Sequence, residues 1–368
     1  MWLIIQKGKF YNFFSGFHMN EQNVSVVILA AGKGTRMKSA QAKVMHEVFF
    51  KPMIHHVLDA LTPLHIHQTV VVTGHQAEKV EHACSGYDVS FVRQLEQLGT
   101  GHAVLAAESA LLSVATDVVM ILCGDTPLIR PETLQSMLNE HLTGSHKLTV
   151  MTTVVDEPTN YGRIILSNSG YVQAIVEEKD ASPQQKKINE INAGIYCVEK
   201  HFLFTALQGV GTDNKQGEVY LTDIIAIAHS SGLQVQRFFC QQSEETLGVN
   251  SRYELSLAHA TLQRRFLRKL MDQGVTCVLP ETITISGEVE IGRDTIISPN
   301  VAISGKTKIG ENCRVAPFSC LVDSQLGDNV SIGEFSYLNG ITVADNDSIL
   351  PQSCMNHKMV SNERGSLK

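Results

Sequence analysis

The chain has 368 residues, of which 43% are hydrophobic and 18% charged. That length allows two domains with ample core, and the balance is that of a folded globular protein and not a disordered one. The formal net charge of −7 argues against a general nucleic-acid or anionic-membrane binder, so any bound anion must be met by local cations or a metal ion.

Residues 1–23 read as an N-terminal extension. Their apolar residues (Trp2, Leu3, Ile4, Ile5, Phe13, Phe14, Phe17) are scattered, with no run long enough for a signal peptide or a span, and Met19 stands just before the first strand. Cysteines occur at 84, 123, 197, 240, 277, 313, 320 and 354 without a C-x-x-C pair. Reduced thiols in the cytosol fit this better than a disulfide framework or a zinc site.

Val26–Leu29 is a continuous aliphatic run, expected as a strand buried on both faces. Ala30, Ala31, Gly32 and Gly34 follow, so backbone N–H groups there can approach a bulky anion, and Lys33, Arg36, Lys38 and Lys43 add cations. Small residues plus cations after a buried strand make a phosphate site. With Met37 where a third glycine would stand, this is not a dinucleotide fingerprint, and no Gly-Lys-Ser/Thr makes it a P-loop. The plain alternative is a glycine turn with solvated lysines.

From 24 to 250, short apolar runs (26–29, 69–73, 89–92, 118–122, 148–155, 191–198 and 233–239) alternate with amphipathic segments such as 53–61 and 131–141. This predicts an α/β domain with a mostly parallel sheet, whose ligands gather beyond the carboxyl ends of the strands. Gln94 and Gln97, followed by Gly99-Thr100-Gly101, offer amides and close backbone that suit a pyrimidine edge; a polar glycine loop is the other reading. Asp125 ends the run 118–122 after Cys123-Gly124, where a lone carboxylate suits Mg²⁺; otherwise it caps the helix near Pro131. The polar clusters around Gly162, Glu177, Asn192 and 217–223 combine carboxylates, amides and glycines, as a sugar would need and as ordinary turns also contain.

Residues 251–280 read as a linker helix ended by Gly274. Beyond it, aliphatic residues recur every six positions at Ile285, Ile291, Ile297, Ile303, Ile309, Val315 and Leu321, then slip by one to Leu326, Ile332 and Leu338. This is the hexapeptide signature of a short left-handed parallel β-helix over 281–355, with roughly three to four coils. Such solenoids often trimerise, so a homotrimer is the expected assembly. Residues 356–368 read as a frayed tail.

Leu29-Ala-Ala-Gly-Lys-Gly-Thr-Arg-Met37, Lys43-Val-Met-His46, Gln94 with Gly99-Thr-Gly-His-Ala103, Cys123-Gly-Asp125, Tyr161-Gly-Arg163, Asn192-Ala-Gly194, Tyr220-Leu-Thr-Asp223 and Gly248-Val-Asn250 occur in this order. Together they resemble the bacterial bifunctional N-acetylglucosamine-1-phosphate uridylyltransferase / glucosamine-1-phosphate acetyltransferase. The resemblance implies a Rossmann-like nucleotidyltransferase domain that makes UDP-N-acetylglucosamine and pyrophosphate from UTP and N-acetylglucosamine-1-phosphate. It implies that Leu29, Ala30, Ala31, Gly32 and Gly124 hold the nucleotide and that Gln94, Gly99 and Thr100 read the uracil. By the same resemblance Arg36 and Lys43 are catalytic, Asp125 and Asn250 bind Mg²⁺, and Gly162, Glu177, Asn192, Tyr220 and Thr222 contact the sugar.

Ala42 and Cys123 stand where the family usually has proline and tyrosine, which removes no charge or metal ligand. The family's longer β-helix carries its acetyl-transfer residues in coils absent here, so uridylyl transfer is expected and acetyl transfer is not. A bifunctional enzyme, or an inactive nucleotidyl fold serving as scaffold or regulator, are the alternatives. No nucleic acid and no membrane span are expected, and His46 and His102 read as structural.

Overall fold

The computed structural model describes residues 23–357, so the expected extension up to residue 22 and the tail beyond 357 lie outside the described residues. The chain divides into two compact units, one of residues up to 45 with 54–248 and one of 46–53 with 249 onward.

The first unit is built on one sheet. Its strands are β1 (Val24–Ala30), β2 (Gln68–Thr73), β3 (Ser90–Arg93), β4 (Val118–Cys123), β5 (Leu148–Val154), β6 (Arg163–Leu166), β7 (Val172–Val176), β8 (Glu190–Glu199) and β9 (Gln236–Phe239). The main path runs β9-β5-β8-β4-β1-β2-β3, with β6 and β7 as an antiparallel pair beside β8. All neighbours on the path are parallel except β8, which runs antiparallel between β4 and β5. The expectation of a mostly parallel sheet holds.

β1 is central because its side chains are apolar on both sides. Val24, Val26, Ile28 and Ala30 enter one core, while Val27 and Ala31 enter the other, the alternation a pleated strand imposes. From β1 the chain goes outward to β2 and β3, then returns to β4 on the opposite side. That reversal is a topological switch point, and a crevice forms beyond the carboxyl ends of β1 and β4. Ala30 pairs with Thr73 and Leu29 with Cys123, so the loops after β1, β2 and β4 emerge on one edge.

In the second unit the helix Arg252–Asp272 opens with a capping box. Ser251 accepts from Glu254 N–H, and the Glu254 carboxylate accepts from Asn250 N–H at 2.7 Å. Short rungs follow, forming parallel sheets of five, five and four strands. In the sheet that begins at Thr284–Ile285, rung partners lie 18 residues apart up to Cys320 and 17 apart from Cys320 to Tyr337. The one-residue slip in the repeat is therefore a shortened corner around Asp323, whose φ is +47°.

The stack is deeper than three to four coils. Its first rung, Thr276–Cys277, falls in the segment read as linker and pairs with Ile296–Ile297 at an offset of 20, outside the six-residue frame. Its last described rung, Cys354–Asn356, pairs with Tyr337–Asn339. No described helix is long and apolar enough to cross a membrane.

Candidate active site

A cleft of about 290 Å³ opens at the switch point, entirely within the first unit. Its walls include Leu29, Ala30, Ala31, Gly32, Lys43, Gln94, Gly99, Thr100 and Asp125. Segments as far apart in sequence as Leu29 and Asp125 thus converge where the sheet topology requires. Gly124 stands between two lining residues, and its N–H donates to Leu29 O at 3.0 Å, tying the two strand ends together.

Two glycines have specific reasons to be there. Gly34 has φ +60°, and a Cβ on it would meet the Lys43 Cβ at 2.6 Å; the turn therefore packs directly on the stem of the lysine. Gly99 has φ +111°, and its Cβ would meet Val219 O at 2.5 Å. Thr100 Oγ1 accepts from Leu221 N–H at 3.1 Å, so 99–100 and 219–221 form one wall.

Lys43 Nζ forms an ion pair with Asp125 Oδ2, with both side chains mostly buried. The carboxylate does not cap the following helix, Pro131–Thr143, whose N-cap residue is Arg130. Arg36 is exposed on the turn Thr35–Met37 and does not line the cleft. Asn250 belongs to the second unit. Among the described residues no three His, Cys, Asp or Glu side chains gather as a metal cluster.

Four of the five residues expected at the sugar, Gly162, Glu177, Asn192 and Thr222, form a connected group, with Tyr220 two residues before Thr222. A Cβ on Gly162 would lie 3.5 Å from Glu177 Oε1 and 3.6 Å from Asn192 Cβ. Thr222 Oγ1 donates to Glu177 Oε1 at 3.1 Å, and Tyr220 Oη accepts from Gln216 Nε2 at 2.7 Å. Burial raises the Glu177 carboxyl above its ordinary value, partly opposed by the Thr222 hydroxyl. Asn192 donates to Tyr196 Oη at 2.6 Å and accepts from Gly194 N–H at 3.0 Å. That Asn-Ala-Gly stretch is a register irregularity of β8, the device by which a strand re-aims side chains near a site. Cys123 Sγ lies 3.7 Å from Gly194 O, joining this group to the end of β4.

Gln97, read with Gln94 as an amide for a pyrimidine edge, lines the cleft, and so do Cys123 and Glu218, which were given no site role. Gln97 was visible as an amide beside Gln94, and Glu218 lies within the polar cluster 217–223. Nothing local in the sequence separates Glu218 from its polar neighbours. Burial, with Asp125 nearby, pushes the Cys123 thiol up to about 12, so it is a neutral wall and not a nucleophile.

Residues 26–191 match the MobA-like NTP transferase domain, and residues 288–322 match the bacterial transferase hexapeptide (six repeats). A protein of Desulfotalea psychrophila named bifunctional protein GlmU is 49% identical over 295 residues, covering 80% of this chain and 87% of the relative. Proteins of the same name from Heliobacterium modesticaldum (48%) and Listeria monocytogenes (45%) are matched over 82% and 81% of this chain. The chain spans only 66% and 65% of those two relatives. At 49% identity over four fifths of its length to a protein of that name, with an NTP transferase domain followed by hexapeptide repeats, the chain belongs to the GlmU family.

Proposed function

We propose that the chain is a uridylyltransferase that makes UDP-N-acetylglucosamine and pyrophosphate from UTP and N-acetylglucosamine-1-phosphate. The observation that carries this reading is one cleft lined by the small-residue loop 29–32, Lys43, Gln94, Gly99, Thr100 and Asp125. The connected group of Gly162, Glu177, Asn192 and Thr222 supplies the acceptors and donors a sugar needs.

Both substrates are polyanions, so repulsion and charge developing on the bridging oxygen are the main obstacles to in-line attack on the α-phosphorus. The attacking phosphate oxygen is already ionised at neutral pH, and no general base is required. Backbone N–H groups of 30–32 receive the phosphates and Lys43 neutralises them; the family resemblance gives Arg36, exposed on the following turn, as a further cation. Asp125 offers the hard oxygen that Mg²⁺ prefers, and a lone carboxylate suits an ion that takes its other ligands from phosphate and water. The family resemblance gives Asn250 as a further ligand. When bound, Mg²⁺ would supply charge neutralisation at the phosphates. A cytoplasmic location and a homotrimer through the β-helix complete the proposal.

Pyrophosphate release from UTP with a panel of sugar-1-phosphates, with and without Mg²⁺, tests it. Metal-dependent release with N-acetylglucosamine-1-phosphate as the preferred partner is expected. Release with none of the panel, or undiminished release without divalent metal, would overturn it.

A further inference from the structure

Gln94 lines the cleft but is only 4% exposed. Its side-chain nitrogen lies 3.1 Å from Gly99 O and 3.0 Å from His102 Nδ1. A carbonyl oxygen can only accept, so the Gln94 atom facing Gly99 must be the NH₂ group. One N–H is spent there. The other is directed at His102 Nδ1, which accepts it if the ring proton is on Nε2. With both donors held inside the protein, the side chain has only its oxygen to offer a ligand.

We infer that His102 is a positioning residue that locks Gln94 as an acceptor toward the nucleobase and so sets the choice of pyrimidine. The inference rests on the uridylyl reading above. Uracil presents an N–H at N3, which a fixed acceptor satisfies. Cytosine presents a lone pair at N3, so two buried acceptors would face each other without a proton between them. Turning the amide over would relieve that conflict, but it would set the Gln94 oxygen against Gly99 O and His102 Nδ1. His102 is thus the second of two locks. It does not line the cleft itself and acts through Gln94.

The test compares kcat/KM for UTP and CTP in the unmodified enzyme, His102→Leu and His102→Gln. The leucine removes the acceptor and the glutamine side-chain oxygen restores one. Loss of one of two locks should lower the UTP/CTP ratio about tenfold in His102→Leu, the scale of one hydrogen bond. In His102→Gln the ratio should stay near that of the unmodified enzyme. A folded His102→Leu with an unchanged ratio would overturn the inference. Failure of the uridylyl reading looks different, because the unmodified enzyme would then not turn over UTP. If the leucine variant does not fold, ¹⁵N spectra of the histidine-labelled unmodified protein decide, with His102 assigned by its loss in His102→Gln. An Nε2–H ring supports the lock, and an Nδ1–H ring, which cannot accept from Gln94, overturns it.

Discussion

Lys43 and Asp125, 82 residues apart, are joined by an ion pair at the cleft, their side chains 16% and 15% exposed. If Asp125 holds the metal ion as proposed above, the ion competes with the Lys43 ammonium for the same carboxylate. Lys43→Met should therefore tighten Mn²⁺ binding to the nucleotide-free protein while abolishing turnover. Calorimetric titration with Mn²⁺ checks this, and weaker binding than in the unmodified protein would contradict it. Asp125→Ala should lower pyrophosphate release by ~100-fold or more with the fold intact, the scale for losing a preorganised charge partner.

Gly162 is packed so closely that a Cβ would meet Ile175 Cγ2 at 2.7 Å beside Glu177 Oε1. Gly162→Ala must push on the β7 strand and displace the Glu177 carboxylate. The KM for the sugar phosphate should rise about tenfold while that for UTP changes little, the pattern of lost binding at one substrate only. Steady-state kinetics with each substrate varied would show it; an equal rise for UTP would place Glu177 elsewhere in the site.

His141 lies on the helix Pro131–Thr143, 1% exposed, with Nδ1 2.8 Å from Thr149 Oγ1. Burial, and to a lesser degree His146, push its pKa down to about 4. The unfolded chain therefore takes up this proton first. The contribution to stability is full above the ordinary value of 6.5 and is lost as pH falls from 6.5 toward 4, at up to about 1.4 kcal/mol per pH unit. His141→Gln should flatten the acid side of the stability profile in that window. Urea denaturation at several pH values measures it, and parallel profiles would contradict the assignment.

In the second unit, Phe49 and Phe50 form the turn between the two-residue strands Glu47–Val48 and Lys51–Pro52, with φ of +46° and +66°. Both phenylalanines thus adopt a conformation that favours Asn and Gly. Phe49 is held by packing on Phe266 and by its N–H donating to His259 Nδ1 at 3.2 Å. Phe50 is 44% exposed. Phe50→Gly should relieve strain of the order of 1 kcal/mol, offset in part by lost ring contact with His259. Thermal unfolding should shift upward, and a lower midpoint would show that the ring contact outweighs the strain.

What the sequence made legible was mostly local. The aliphatic run 26–29 followed by small residues fixes a strand and a turn within a dozen residues; the strand is found, and Leu29 to Gly32 line the cleft, where a phosphate site was expected. The six-residue repeat is equally local, because each aliphatic residue meets a neighbour one coil away. The strands Arg163–Leu166 and Val172–Val176 were not anticipated, since the first begins on a charged residue. Arg163 is buried there because Glu178 pairs with it and Tyr161 O accepts from it, a tertiary compensation that no local pattern announces. The exposed position of Arg36 and the cleft-lining position of Glu218 depend on how separate loops meet, which spacing along the chain does not encode.

The most direct measurement is a crystal structure of the protein soaked with UDP-N-acetylglucosamine and Mg²⁺. The account predicts the diphosphate over the backbone of 30–32 with Lys43 turned toward it, and the uracil edge against the Gln94 oxygen. A uridine diphosphate group bound away from that loop would contradict it.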